Sequence, residues 1–475
     1  MKPLVVDLDG TLIKTDLLME TANRFVTRNP FRIYKILQWL ARGKVHLKLE
    51  LAERAGVIPA SLPYHEFVVD WLKEQKSQGR TLILATASCQ ALADEVAGYL
   101  GVFDSVMGTD GDTNLKSHAK RDRLVERFGH KGFDYVGNDY ADLSVWESSD
   151  RAYVVSNDSG LVKKARNIGN VEHVFETGKP GFVGSMLKAL RPHQWVKNFL
   201  VFIPLIMAQR YGDVGSVFQA VFAFLVFGMT ASSVYLLNDL VDVEDDRHHA
   251  RKRKRPFAAG NLSLLHGWLA WPIVLLAAFG VSLAILPIKF VGVLAVYFGL
   301  TLAYSFRLKR AAMVDVITLA ALYTLRIIAG AAAISVPLSF WLLAFSMFIF
   351  LSLAFIKRYS ELRVAAERDK QKSLRGRGYS PDDLEAISTM GIGAGYMSVL
   401  VLALYVNSDT TAALYRNPHL IWLACPVLLY WISRAWLITH RGEMHDDPIV
   451  FALKDPMSWA MVLTLVVIFG LAKIT

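Results

Sequence analysis

At 475 residues, with 53% hydrophobic and 20% charged residues, a net charge of +10 and a mean hydropathy of +0.33, the chain is too apolar for a wholly water-soluble protein, whose mean hydropathy sits near or below zero. A polytopic membrane protein is indicated. Cys89 and Cys425 stand far apart with no partner spacing, which excludes a disulfide framework and a cysteine-based metal site. The basic excess fits nucleic acid, anionic lipid or a phosphate-rich substrate, and the positions of the charges decide among them.

The first 180 or so residues carry charges throughout and read as a water-soluble domain. Leu4–Val6 is a short apolar run ending in Asp7-Leu8-Asp9-Gly10-Thr11, the pattern of a buried parallel strand with two carboxylates and a glycine turn at its C-terminal end, where open α/β sheets place ligands. About 70 residues of largely helical pattern follow, at 17–41, 44–55 and 64–78. The run 82–85 before Thr86-Ala87-Ser88 repeats the arrangement with hydroxyls, and 133–136 before Gly137-Asn138-Asp139-Tyr140-Ala141-Asp142 repeats it with carboxylates. Helical patterns at 91–100 and 120–128 alternate with these strands, which predicts a doubly wound parallel α/β sheet. Residues 1–30 lack a charged-then-apolar design, so no signal peptide is expected and the domain is expected to remain cytoplasmic.

This segment resembles the haloacid dehalogenase superfamily of phosphohydrolases over residues 1–177, with a helical cap at about 14–78. The resemblance implies that Asp7 is the nucleophile forming an aspartyl-phosphate and Asp9 the general acid/base. It further implies that Thr86 holds the transferring phosphoryl group and that a lysine of the Lys116/Lys120 pair neutralises it. Lys120 is preferred, because its spacing to Leu124 fits a helix start. Mg²⁺ would sit between Asp7, Asp9 and the last acidic motif. The family usually has Gly-Asp where this chain has Gly137-Asn138, so Asp139 or Asp142 is expected to supply the metal carboxylate. A domain that has kept the scaffold and weakened the chemistry is the bland alternative.

Gly178-Lys179-Pro180-Gly181 reads as a linker, and residues 178–198 end in an amphipathic lead-in at 186–197. Nine apolar stretches follow, at 199–209, 217–237, 264–286, 289–305, 313–335, 338–356, 388–406, 418–438 and 457–473, most of them near the length of about 20 residues that spans a bilayer. Nine crossings place the basic loops 247–255, 307–310, 357–377 and 441–454 on the cytoplasmic side and the C-terminus outside, and leave only Arg210, Lys289 and Arg416 in the opposite loops, with Lys473 at the terminus. Topology therefore accounts for most of the basic excess, and nucleic acid is not an expected partner.

At the end of the second stretch stands Asn238-Asp239-Leu240-Val241-Asp242-Val243-Glu244-Asp245-Asp246. On a helix Asn238, Asp239, Asp242 and Asp246 share one face, with Glu244 and Asp245 pointing elsewhere. Carboxylates gathered on one face repel unless a cation sits among them, and hard oxygen ligands suit Mg²⁺ bridging to phosphates. The cationic stretch Arg251-Lys252-Arg253-Lys254-Arg255-Pro256 follows and can grip phosphate oxygens or anchor to anionic lipid.

This pattern, continued by Arg255, Pro256, Ala258 and Gly260, resembles the UbiA family of intramembrane prenyltransferases, over about residues 186–475 and with a nine-helix membrane domain at 199–475. That family ionises an allylic diphosphate held by Mg²⁺ on two aspartate-rich motifs. Here the second motif departs: Tyr304, Lys309 and Asp315 fit the region, but Leu319 stands where the partner acid is usual. Leu190-Arg191-Pro192-His193-Gln194-Trp195-Val196-Lys197-Asn198 and Lys357-Arg358-Tyr359 with Glu361 are similar to the decaprenyl-phosphate phosphoribosyltransferase branch. In that branch the donor is phosphoribosyl pyrophosphate and the acceptor a polyprenyl phosphate. Arg191, Lys197, Lys252, Lys309, Lys357 and Arg358 are candidate phosphate-binding cations near predicted span ends, where lysines can also simply snorkel. Arg326, midway along the fifth stretch, is a functional candidate because an ionisable residue is costly there; a structural ion pair with Asp315 is its alternative. His248, His249 and the sequence His445-Asp446-Asp447 are expected to be solvated turns.

A bifunctional membrane enzyme is therefore expected, with a prenyl diphosphate donor and an aromatic acceptor as the first alternative. A receptor or lipid carrier is the second. The oligomeric state is left open.

Overall fold

A computed structural model describes the chain except residues 110–114, 116, 179, 369–377, 409–410, 412–413, 445–446 and 475. It divides into two compact units: Met1–Arg191 with Tyr235–Ile273, and Pro192–Val234 with Val274–Thr475.

The first unit is built on six parallel strands: β1 (Leu4–Val6), β2 (Leu82–Cys89), β3 (Ser105–Thr109), β4 (Asp134–Gly137), β5 (Ala152–Val155) and β6 (Val171–Phe175). Their order is β3-β2-β1-β4-β5-β6. Val5 of β1 pairs with Ile83 on one side and Tyr135 on the other. The chain thus leaves β1 towards opposite edges of the sheet, and this switch opens a crevice beyond the C-terminal ends of β1, β2 and β4. Alternation along β1 feeds two cores. Leu4 and Val6 join Leu82, Leu84 and Val136 on one face, while Val5 joins Ile83, Tyr135 and Trp146 on the other. The doubly wound sheet expected from the sequence is observed.

Helices Leu17–Arg28, Tyr34–Ala41 and Lys44–Ala55 form a cap with a small core of its own, Phe25, Val26, Trp39, Leu47 and Leu51. Asp16 starts the first of them by accepting a hydrogen bond from Leu18 N at 2.7 Å. The fourth helix of the 14–78 region, Glu66–Ser77, instead gives Val68, Val69 and Leu72 to the sheet core. Within the same unit the segment after the aspartate-rich motif folds back tightly. Gly260 has φ +72°, and a Cβ there would lie 2.6 Å from Lys14 Cβ, so only glycine suits the position.

Among the described residues, eight helices are long and apolar enough to cross a membrane: Val214–Val241, Leu264–Ile285, Ile288–Phe306, Val314–Ala333, Phe340–Ala366, Pro381–Val406, Pro418–Arg441 and Pro456–Ile474. They follow the second to ninth expected stretches. The first, 199–209, is broken into a 3₁₀ stretch, Pro192–Phe202, and a short helix, Ile203–Met207. Its backbone presses on the helix Val314–Ala333 so closely that a Cβ on Gly330 would meet Val201 O at 2.1 Å. The segment is thus shaped by packing on a neighbour, with Val201 fully buried.

Candidate functional site

The crevice of the first unit holds a cavity of ≈ 350 Å³ whose lining includes Asp7, Asp9, Ser88, Lys120, Asn138 and Asp139. Asp7 follows β1, and its Oδ1 accepts a hydrogen bond from Lys120 Nζ at 2.7 Å. Asp9 is clamped from two sides: its Oδ1 accepts from Leu17 N at 2.8 Å, and its Oδ2 accepts from Ser88 Oγ at 2.7 Å and Thr86 Oγ1 at 3.2 Å. Burial pushes the Asp7 carboxyl up to about 7; the Lys120 charge opposes this, and Asp142 and Asp9 add to it. Lys120 is held above its ordinary value, because the attraction of Asp7 and Asp142 outweighs the burial that pulls it down. Several carboxylates thus share one buried ammonium. A hard divalent cation fits this donor set, since it would offset the burial of the Asp7 charge and the lesser repulsion from Asp142 and Asp9.

Three expectations are refined here. Thr86 is fully buried and turned onto Asp9, while Ser88, two residues on in β2, is bonded to Asp9 as well and lines the cavity. Asp142 is committed to the loop: its Oδ1 accepts from Tyr135 Oη at 2.9 Å, and its Oδ2 accepts from the amides of Asn138 and Asp139 at 3.0 Å each. Asp139 Oδ1 accepts from Ala141 N at 3.0 Å. Asn138 Oδ1 accepts from Thr11 Oγ1 at 2.9 Å. Of the two acids expected to supply a metal carboxylate, Asp139 is the less engaged. Lys116 lies outside the described residues.

The aspartate-rich motif also belongs to the first unit. Asp242 joins the helix Val214–Val241 to the short helix Val243–His248, and the bonds from Asp242 N to Asn238 O (2.9 Å) and from Asp246 N to Asp242 O (2.8 Å) carry the helical repeat across the junction. Asp239 and Asp246 are buried and Asp245 is exposed, as the helical spacing predicts. Arg255 bridges the pair, 2.6 Å from Asp246 Oδ2 and 3.2 Å from Asp239 Oδ1. Arg191 donates to Asp239 Oδ1 at 2.5 Å and lies over the Tyr235 ring. Lys252 is more distant, 3.9 Å from Asp246. Burial raises the Asp246 carboxyl even against the Arg255 charge. Asp239 Oδ2 is buried without a hydrogen-bond partner among the described residues, and a cation would satisfy it. His248 and His249 are exposed.

In the second unit Asp315, expected in the second motif, forms a fully buried ion pair with Arg358 (2.7 Å) and accepts from Tyr304 Oη at 2.9 Å; Arg358 also pairs with Glu361. Leu319 packs into the neighbouring hydrophobic cluster. Arg326 is buried but does not pair with Asp315. Its Nε donates to Asn198 Oδ1 at 2.9 Å, its Nη2 donates to Tyr297 Oη at 3.1 Å, and its guanidinium lies within 5.5 Å of the ring centroids of Phe227, Tyr297 and Tyr323. Lys309 lies on the turn Leu308–Arg310.

Asp447 corrects the expectation of a solvated turn. It accepts from Lys197 Nζ at 2.5 Å and feels Lys357 as well; burial pushes its carboxyl up, but these two cations hold it below the usual range. It also caps the helix Pro448–Lys454, and Asp-Pro at a helix start was a readable sign of that role. His445 and Asp446 lie outside the described residues.

The family model described as the UbiA prenyltransferase family matches residues 199–462. The Uncharacterized protein y4nM of Sinorhizobium fredii is 40% identical across 96% of this chain and 88% of its own length. The Nodulation protein NoeC of Azorhizobium caulinodans is 39% identical across 60% of this chain and 90% of its own. A decaprenyl-phosphate phosphoribosyltransferase of Mycolicibacterium smegmatis is 32% identical across 60% of this chain and 92% of its own. With a matched model over more than half its length, multiple membrane-length helices and the buried aspartate-rich motif, the chain belongs to the UbiA prenyltransferase family.

Proposed function

We propose that the chain is a Mg²⁺-dependent transferase of the cytoplasmic membrane, its sites on the cytoplasmic face, that moves 5-phosphoribose from phosphoribosyl pyrophosphate to a polyprenyl phosphate. The bond from the anomeric carbon to pyrophosphate breaks, and one from that carbon to a phosphate oxygen of the lipid forms. The soluble domain then removes the 5-phosphate from the lipid-linked product. Similarity to the decaprenyl-phosphate phosphoribosyltransferase of M. smegmatis supports the first step.

The observation that carries the reading is the altered second motif, in which Asp315 is spent on a buried pair with Arg358 and Leu319 is apolar. A donor that needs metal on two acidic motifs is poorly served by it. A donor that leaves pyrophosphate on Asp239, Asp242 and Asp246, with Arg191, Lys252 and Arg255 beside them, is well served. Bound there, Mg²⁺ would supply the positive charge that lets pyrophosphate leave. A positively charged anomeric centre plays the part of an allylic cation. The acceptor phosphate is already anionic and needs no strong base. The family description favours a second reading, prenyl transfer from an allylic diphosphate to an aromatic or quinone-precursor acceptor.

The donor decides. Membranes containing the protein, given labelled phosphoribosyl pyrophosphate and a polyprenyl phosphate, are expected to form a labelled lipid only when Mg²⁺ is present. No product from folded protein overturns the reading, and consumption of an allylic diphosphate instead establishes the second.

The soluble site carries a pH prediction. With the Asp7 carboxyl at about 7, a proton and a cation compete for it below neutrality. A cation binds the carboxylate, so Mg²⁺ affinity is expected to fall as pH drops below about 7, by up to about tenfold per unit, and to level off above. Calorimetric titration of the protein with Mg²⁺ at pH 5.5, 6.5 and 8 checks this, with Asp7→Asn removing the dependence.

A further inference from the structure

We infer that the cap of the soluble domain carries a lipid-interfacial face, which sets the mouth of the phosphohydrolase-like cavity on the bilayer surface and selects membrane-borne phosphomonoesters as its substrates. The selection rests on the phosphatase reading above; the interfacial face does not.

The face is formed by the turn Pro30–Arg32 and the helix Tyr34–Ala41. Ile33, Leu37 and Leu40 fall at helical spacing on one side, and with Phe31 and Tyr34 they are all exposed, Phe31 at 94% and Leu37 at 69%. Trp39 turns the other way, into the cap core against Phe25. Scattered exposed apolar residues are ordinary, but five within ten positions make a patch that needs a partner. The charge around the patch identifies the partner. No acidic residue occurs between Glu20 and Glu50, whereas Arg28, Arg32, Lys35, Arg42 and Lys44 all lie in or beside the face. An apolar face with a purely cationic border fits an anionic bilayer surface.

The attachment of the cap supports that contact. Trp268 is four residues inside the membrane-length helix Leu264–Ile285, about 6 Å along its axis. Trp268 Nε1 nonetheless donates to Asn23 Oδ1 of the cap at 2.9 Å, and its ring packs against the cap core. Asn23 Nδ2 donates in turn to Leu240 O at 3.0 Å, in the last turn of the helix Val214–Val241. Glu20 receives both Nη groups of Arg247, at 2.7 and 3.0 Å, and both side chains are buried. The cap is thus fastened at the level where the spans leave the bilayer. The cavity shares that level: Asp16 and Met19 at the start of the cap line it together with Ser263 and Leu264, the latter being the first residue of a span. A phosphate on a lipid-borne headgroup can reach Asp7 while its anchor stays in the membrane.

The test uses the full chain in phosphatidylglycerol-containing vesicles. Cys89 and Cys425 are buried, so a Leu37→Cys variant can be labelled with a fluorophore at one exposed site, and Lys163→Cys, on the helix covering the other face of the sheet, serves as the control. Lipids carrying a shallow nitroxide quencher are expected to quench the label at 37 and not at 163, with iodide showing the reverse order. Absence of lipid quenching at 37 overturns the interfacial face: iodide quenching equal at both positions then shows the face to be in water, and weaker iodide quenching at 37 shows it covered by another protein or a second copy. In the second arm, Phe31→Asp/Leu37→Asp is expected to lower hydrolysis of a vesicle-borne lipid phosphomonoester about tenfold and to leave p-nitrophenyl phosphate hydrolysis unchanged. Equal loss on both substrates, or no loss on either, overturns the selection. If the unaltered protein hydrolyses neither substrate, the phosphatase reading fails and the selection with it, while the quenching result still decides the interfacial face.

Discussion

Asp7→Asn is expected to lower phosphomonoester hydrolysis by on the order of 10³-fold or more, while transfer to the lipid continues. The amide is a poor nucleophile, and it also removes the negative charge that holds Lys120 at 2.7 Å. The fold should survive the change. Lys120 keeps its hydrogen bond to Tyr135 Oη at 3.0 Å, and the Tyr135–Asp142 link that shapes the loop after β4 does not pass through Asp7. The measurement is the fate of the lipid-linked product: the variant should accumulate the phosphorylated form that the unaltered protein converts. Unchanged dephosphorylation means that the soluble domain has been given the wrong role. Both hydroxyls of β2 brace Asp9, and Ser88 alone of the two also lines the cavity.

What could be read from the sequence was whatever a local period or a short motif encodes. The ends of β1, β2 and β4, the exposed Asp245 beside buried Asp239 and Asp246, and eight apolar helices all follow from spacings of two to four residues or from length. What could not be read depends on pairings far apart in the chain. Glu20 meets Arg247 across 227 residues, and Lys197 meets Asp447 across 250. No period marks such partners, so Asp447 passed for a surface turn. The choice between Asp139 and Asp142 was open in the sequence for a related reason: the hydrogen bonds of Asp142 to two loop amides and to Tyr135 are a property of the folded loop, and an acid at either spacing reads equally well as a metal ligand. The first apolar stretch forms a 3₁₀ segment and a short helix rather than one long helix, and its close approach to Gly330 is a tertiary contact that hydropathy does not register.

Asp239→Asn should show the largest effect on transfer, a loss of about 10²- to 10³-fold, corresponding to roughly 3 to 4 kcal/mol of charge stabilisation. Asp239 is 2% exposed, its Oδ1 receives Arg191 and lies near Arg255, and its Oδ2 is buried without a hydrogen-bond partner among the described residues. The amide cannot offer two anionic oxygens, so it weakens the hold on a cation and leaves two arginines facing a neutral group. Raising Mg²⁺ should recover only part of the rate. Asp245→Asn, on the exposed side of the same helical turn, should remain within about twofold of the unaltered protein, as surface substitutions away from a site do. Hydrolysis of the lipid-linked product, supplied directly, should be unaffected in both variants, which separates a lesion in transfer from a failure to fold. Transfer at the full rate by Asp239→Asn would show that the aspartate-rich motif does not hold the metal and diphosphate, and the donor would then have to be sought among the cations of the second unit, beginning with Lys197 and Lys357 around Asp447.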